Sequence, residues 1–222
     1  MESITRIIKG EKFGLKITHI SDTHGKHLNF THSIPTDTDV IVHSGDFLEY
    51  NLPEEAKSFF AWFRSIPGRH KILIGGNHDY LLDPENNLYE EMDLTGIHFL
   101  TGQSIEIDGM TFYGDSQVLM KDYAYGSAFS YQDENEGETI WSKIPDNTQV
   151  LITHGPPFDI LDKVEHYDKT KRLGCKALKK RIEDLTELKL HLFGHVHQAR
   201  GNKLINGVQF SNAATGIFSY EI

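Results

Sequence analysis

The chain has 222 residues, 38% apolar and 24% charged, enough for one globular domain, residues 1–222, with a substantial core. A formal net charge of −10 excludes general nucleic-acid binding, since phosphate backbones attract basic surfaces; a small phosphorylated ligand at a local cationic site, such as bound metal ions, is still compatible. The single cysteine, Cys175, excludes an intrachain disulfide; with no apolar N-terminal stretch of signal-peptide length and no run long enough to span a membrane, it points to the cytoplasm.

The first apolar run, Leu15–Ile20, is followed by similar runs at Val40–Val42, Ile72–Ile74, Val150–Ile152 and Leu190–Phe193. All are rich in Ile, Val and Leu and too short for helices, so they are expected to form buried strands. Between the second and third, Pro53-Glu54-Glu55 suits a first helical turn, and Ala56, Phe59, Phe60 and Phe63 continue one helical face. Asp108-Gly109 lies between two strand-like runs, as does Asn206-Gly207 near the C-terminus; both suit two-residue hairpin turns. After residues 114–116, Tyr123, Tyr125, Phe129 and Tyr131 are expected to pack within a loop, in preference to forming a stacking wall for a nucleobase. Residues 130–138 are polar and expected to be a surface loop. Cys175, Leu178, Ile182 and Leu185 mark a second buried helical face. The predicted class is α/β with mixed strand pairing.

Each of the five buried runs ends in polar residues. Asp22 and His24 follow the first, Asp46 the second, Asn77, His78 and Asp79 the third, His154 the fourth, His195 and His197 the fifth. Open α/β sheets bind ligands outside the carboxyl ends of their strands, and glycines beside four of these ends permit sharp turns. In extended backbone Asp22 and His24 would point the same way, as would His195 and His197, aiming two donors at one place. An isolated strand-end histidine is usually structural; five consecutive ends of this kind are the ligand chemistry of a two-metal centre. Mixed carboxylate and imidazole donors suit Mn, Fe, Zn, Co or Ni better than Ca or Mg.

In order, Asp22-Thr23-His24, Gly45-Asp46, Gly76-Asn77-His78-Asp79, His154-Gly155 and Gly194-His195-Val196-His197 resemble the motifs of the calcineurin-like metallophosphoesterases. GDFLEYNLPEE, THGPP, KLHLFGHVH and NAAT further resemble the small metallophosphoesterase-domain proteins of brain and bacteria. The resemblance implies two mixed β-sheets sandwiched between helices. It implies that Asp22, His24 and His197 bind one divalent ion, Asn77, His154 and His195 a second, and that Asp46 bridges them, with Mn²⁺ the favoured metal. His78 would be the catalytic imidazole, with Glu49 orienting it, while Asp79 would either orient it too or anchor the turn. A water bridging the ions, its pKa lowered toward ~7, would attack the phosphorus.

Protein phosphatases of the superfamily continue Gly-Asp toward an arginine that grips the phosphoryl group. This chain has Glu49-Tyr50-Asn51 there and no arginine, which argues against that activity. The expected substrate is a small phosphodiester, nucleotide-like in kind, with a phosphomonoester as the alternative and a catalytically weak binding module as a more distant one. Among the remaining residues, His43 stands near Asp46 and suits either support of the site or burial in the core. His19, His27, His32, His70, His98, His166 and His191 match no ligand block and are assigned mostly to surface or packing. Arg200 is expected to be solvated, and Asn212 to brace the turn near His197.

Overall fold

The computed structural model describes residues 14–84, 92–120, 127–166 and 169–222, the side chain of His166 excepted. Tyr123, Tyr125 and the stretch 1–13 lie outside them. In chain order the elements are β1 (Lys16–Ser21), β2 (Val40–Ser44), α1 (Pro53–Ser65), β3 (His70–Ile74), β4 (His98–Phe99), β5 (Gln103–Ile107), β6 (Met110–Asp115), β7 (Val118–Leu119), β8 (Ser130–Tyr131) and α2 (Glu134–Trp141). There follow β9 (Val150–Thr153), β10 (Lys163–His166), β11 (Lys169–Arg172), α3 (Lys176–Asp184), β12 (Leu190–Phe193), β13 (Gly201–Ile205), β14 (Val208–Asn212) and β15 (Gly216–Glu221).

Two mixed sheets stand face to face, ordered β15-β1-β2-β3-β4 and β13-β14-β12-β9-β6-β5. The strands that end at the site run parallel to one another within each sheet: β1, β2 and β3 in the first, β9 and β12 in the second. Period-two alternation sorts their side chains. Ile17, Val40, Val42, Ile72 and Ile74 point inward against Val150, Ile152, Leu190 and Leu192 of the opposite sheet. Ile41 and Leu73 point outward onto Phe59, Phe60 and Phe63 of α1. Leu151 and Phe193 point outward toward Trp141, Leu178 and Ile182 of α2 and α3. Strands covered on both faces bury nearly every side chain, so these runs are largely apolar and lack regular polar alternation. The result is the helix–sheet–sheet–helix sandwich expected.

Three of the set-aside histidines lie wholly in the core. His19 bridges the sheets, its Nδ1 2.8 Å from Ser211 Oγ and its Nε2 2.8 Å from Ser44 Oγ. His43 reaches Thr23 Oγ1 at 3.1 Å and packs its ring on Phe59 of α1. His191 meets Thr153 Oγ1 at 2.9 Å. Burial pushes all three down to about 3, which keeps them neutral.

Both hairpin turns have the expected handedness: Asp108 and Gly109 have φ of 50° and 79°, Asn206 and Gly207 of 49° and 83°. Residues 130–138 correct the surface-loop expectation, because β8 and the start of α2 occupy them. Asp133 caps α2 by accepting from Asn135 N and Glu136 N at 2.8 and 2.9 Å. Its polar residues are the solvent face of a helix that buries Gly137 and Trp141. Cys175 begins α3 as its N-cap, with Sγ accepting from Leu178 N at 3.2 Å.

Candidate metal centre

The loops leaving β1, β2 and β12 are sharply turned. Asp22, His24, Asp46 and His195 have φ of 53°, 42°, 56° and 66°, in the left-handed region that costs a non-glycine residue about 1–2 kcal/mol. The extended pairing expected for Asp22 with His24 and for His195 with His197 is therefore absent: β1 ends at Ser21 and β12 at Phe193. Loop-to-loop hydrogen bonds hold the turns, including Asp22 N to Gly45 O at 3.0 Å, His24 N to Asp46 O at 3.1 Å and Gly194 N to His154 O at 2.9 Å. Asp79 is the main anchor. Its carboxylate accepts from Asp46 N, Phe47 N, Leu48 N and Gly76 N at 2.7 to 3.0 Å, pinning the loop after β2 to the loop after β3. Burial and the Asp46 charge push the Asp79 pKa up, and the amide donors oppose them.

These turns gather the donors. Side-chain atoms of Asp22, His24 and His197 lie within 4.8 Å of one another, as do those of Asp46, His154 and His195. Asp46 stands between the two groups: its Oδ2 is 3.9 Å from His24 Nε2 and 3.3 Å from His154 Nε2. Asn77 Oδ1 joins the second group, 3.1 Å from His154 Nε2. His197 Nε2 is 3.1 Å from Asp22 Oδ1. His78 completes a third group with His24 and Asp46, its ring edge-on to His24 at 4.9 Å. It is exposed, whereas Asp22, Asp46, Asn77 and His154 are buried.

The donor chemistry fits divalent cations. His154 donates from Nδ1 to the Ser44 carbonyl at 2.8 Å, which turns Nε2 toward two acceptor oxygens, Asp46 Oδ2 and Asn77 Oδ1. A second hydrogen bond to backbone carbonyl is the usual way a metal-binding imidazole is oriented. Three electron-rich atoms facing one another need a positive charge. Burial works against protonation of His154, but with no cation bound Asp46, Asp22 and the Ser44 carbonyl carry its pKa up to about 10, the proton standing where a divalent ion would bind. Both ring nitrogens of His24 are buried without a hydrogen-bond partner among the described residues, which suits an imidazole that coordinates a cation. Burial, followed by the charge of His154, pushes His195 down to about 4, leaving it neutral and able to ligate.

Glu49, expected to orient His78, has its Oε2 3.4 Å from His24 Nδ1. Asn212 donates from Nδ2 to Val196 O at 3.0 Å and so braces the turn beside His197. Arg200 is exposed and donates to the Thr215 carbonyl. Phe129 and Tyr131 are buried as packing residues, Phe129 lying against Gly75 and Tyr131 bonded to Trp141 Nε1. Two contributors escaped the sequence reading. Ser21 Oγ donates to Asp22 Oδ2 at 2.6 Å, and the Ser44 carbonyl fixes His154. A serine before the Asp is a weak signal, and a carbonyl gives none.

The fold and these donors define a class: an α/β sandwich with a shared carboxylate between two imidazole-bearing groups at its strand ends. Residues 15–199 match the calcineurin-like phosphoesterase family, and the chain belongs to that family, whose members are in general hydrolases of phosphate esters with binuclear metal centres. A UPF0046 protein of Caenorhabditis elegans is 33% identical over 213 residues, 90% of this chain and 69% of its own length. The human metallophosphoesterase domain-containing protein 1 is 30% identical over 225 residues, 91% of this chain and 66% of its own length. The chain thus spans about two thirds of these relatives. The crystal structure of the Thermus thermophilus protein TT1561 superposes with a TM-score of 0.61 at 11% identity, covering 94% of this chain and 99% of that one; at that identity it speaks for the fold alone. Among the described residues no helix is long and apolar enough to cross a membrane.

Proposed function

We propose that this chain is a metal-dependent phosphodiesterase acting on a small, nucleotide-like ester. The observation that carries the reading is the position of Asp46, one carboxylate oxygen within 4 Å of imidazole nitrogens from two separate ligand groups. Asp22, His24 and His197 would hold one cation, Asn77, His154 and His195 the other, with Asp46 shared. Two such cations supply Lewis acidity and lower the pKa of water toward ~7. Mn²⁺ is the first candidate for the mixed oxygen and nitrogen donors.

The chain's own residues do the rest. His78 is held at the open side of the cluster by its backbone N–H, which donates to Asp46 Oδ1 at 2.8 Å. Its exposed ring is free to hydrogen-bond an equatorial phosphoryl oxygen or to protonate the departing alkoxide as the P–O bond breaks. Asp79 keeps the loops after β2 and β3 in register, so that Asp46 and His78 meet the same substrate. Glu49 supports His24 from the solvent side.

The test is hydrolysis of bis- and mono-p-nitrophenyl phosphate and of cyclic and linear nucleotides with added Mn²⁺, run beside His78→Ala. The variant is expected to keep its metal content and lose about 10²–10⁴ in turnover. Preference for the monoester would make the chain a phosphomonoesterase. A wild-type protein that loads metal and hydrolyses nothing would overturn the reading in favour of a binding module.

A further inference from the structure

Among the described residues, five large apolar side chains stand exposed: Leu28, Tyr50, Leu52, Leu173 and Leu204. Three of them, Leu28, Tyr50 and Leu52, lie on the segments that follow β1 and β2, the segments that also carry Asp22, His24 and Asp46. Tyr50 is the most exposed of the five, at 77%.

The backbone that carries Tyr50 is firmly held. Glu49 N and Tyr50 N both donate to the Glu55 carboxylate, at 2.7 and 3.0 Å. On one side of Tyr50, the Glu49 carboxylate stands 3.4 Å from His24 Nδ1. On the other, Asn51, with φ of 55°, accepts from Tyr80 N at 2.9 Å, fastening the segment to the loop of His78. The backbone at Tyr50 thus runs between Glu49, which reaches His24, and Asn51, which is fastened to the loop of His78. Exposed His78 and His197 mark where the donor cluster opens to solvent.

We propose that Tyr50 is a specificity residue: its ring stacks on an aryl or nucleobase group of the ester while the phosphoryl group lies at the Asp22–His197 cluster. The proposal rests on the phosphoesterase reading above and narrows it to esters with a flat aromatic group. An aromatic ring offers every base a π-face, and stacking tolerates variation in the base. Because the loop is ordered beforehand, little conformational freedom is lost when the ligand arrives. The packing of the core explains none of Leu28, Tyr50 and Leu52, since each is exposed and outside the buried apolar clusters.

The test uses metal-loaded wild type, Tyr50→Phe and Tyr50→Ala, with calorimetric binding of phenylphosphonate and methylphosphonate and hydrolysis of bis-p-nitrophenyl phosphate. Wild type and Tyr50→Phe are expected to prefer phenylphosphonate. Tyr50→Ala should bind phenylphosphonate about 5- to 20-fold more weakly and methylphosphonate equally well, with an increase in KM for the aryl ester. Unchanged phenylphosphonate affinity in Tyr50→Ala would overturn the proposal, as would an equal loss for both phosphonates. If wild type hydrolyses the ester and Tyr50→Ala keeps the phenyl preference, this inference alone fails. If wild type binds neither phosphonate and hydrolyses nothing, the phosphoesterase reading fails and takes the inference with it.

Discussion

A Cβ added at Gly194 would fall 2.0 Å from Ser21 Oγ and 2.1 Å from Asp22 Oδ2, and one at Gly76 would fall 2.3 Å from Asp46 Oδ1. These glycines are therefore part of how the donors approach one another, as well as of the turns themselves. Gly194→Ala is expected to displace the Asp22 carboxylate, weaken cation binding and destabilise the protein by about 1–3 kcal/mol, read from metal content and urea unfolding. Full metal content with unchanged stability would count against this packing. A second residue-scale expectation concerns the neutral core histidines. Burial sets the pKa values of His19, His43 and His191 at about 3, below the ordinary 6.5. Between those values the unfolded chain binds the proton and the folded chain does not, so stability falls as pH drops from about 6.5 toward 3. At pH 5 each histidine is expected to remove roughly 2 kcal/mol relative to neutral pH. His191→Gln should lessen the difference between urea unfolding at pH 7 and at pH 5 by about that amount; an unchanged difference would mean that His191 is not held neutral.

Elements were legible where one physical demand dominated. The five central strands showed as short, mainly apolar runs because both of their faces are covered, and Asp108-Gly109 and Asn206-Gly207 announced their turns because few residue pairs accept positive φ twice. Helix α2 was missed because its polar residues, Glu134 to Glu138, look the same on a loop as on the solvent face of a short helix; the pattern of Asp133 followed by Glu136 was its only local signal. Asp133→Ala should remove two cap hydrogen bonds and cost about 1 kcal/mol in urea unfolding with metal content unchanged. No loss of stability would show that α2 is held by Trp141 and its neighbours alone. The short strands β4, β7 and β8 have two residues each, too few for a period to register.

Across the whole molecule, the sequence revealed which residues end the strands but not how their side chains would turn. The proximity of Asp22, His24 and His197 and of Asp46, His154 and His195 followed the order of the motifs. The left-handed turns, the four-amide anchor at Asp79 and the placement of Glu49 beside His24 depend on contacts between loops distant in sequence, which spacing alone does not encode. Those contacts set the Asp46 carboxylate between His24 and His154, where the proposed centre would share it. Anomalous diffraction at the manganese edge from crystals grown with Mn²⁺ tests this most directly. Two peaks about 3.5–4 Å apart are predicted, with Asp46 contacting both and His24 and His154 on opposite sides. A single peak, or peaks that leave Asp46 uncoordinated, would contradict it.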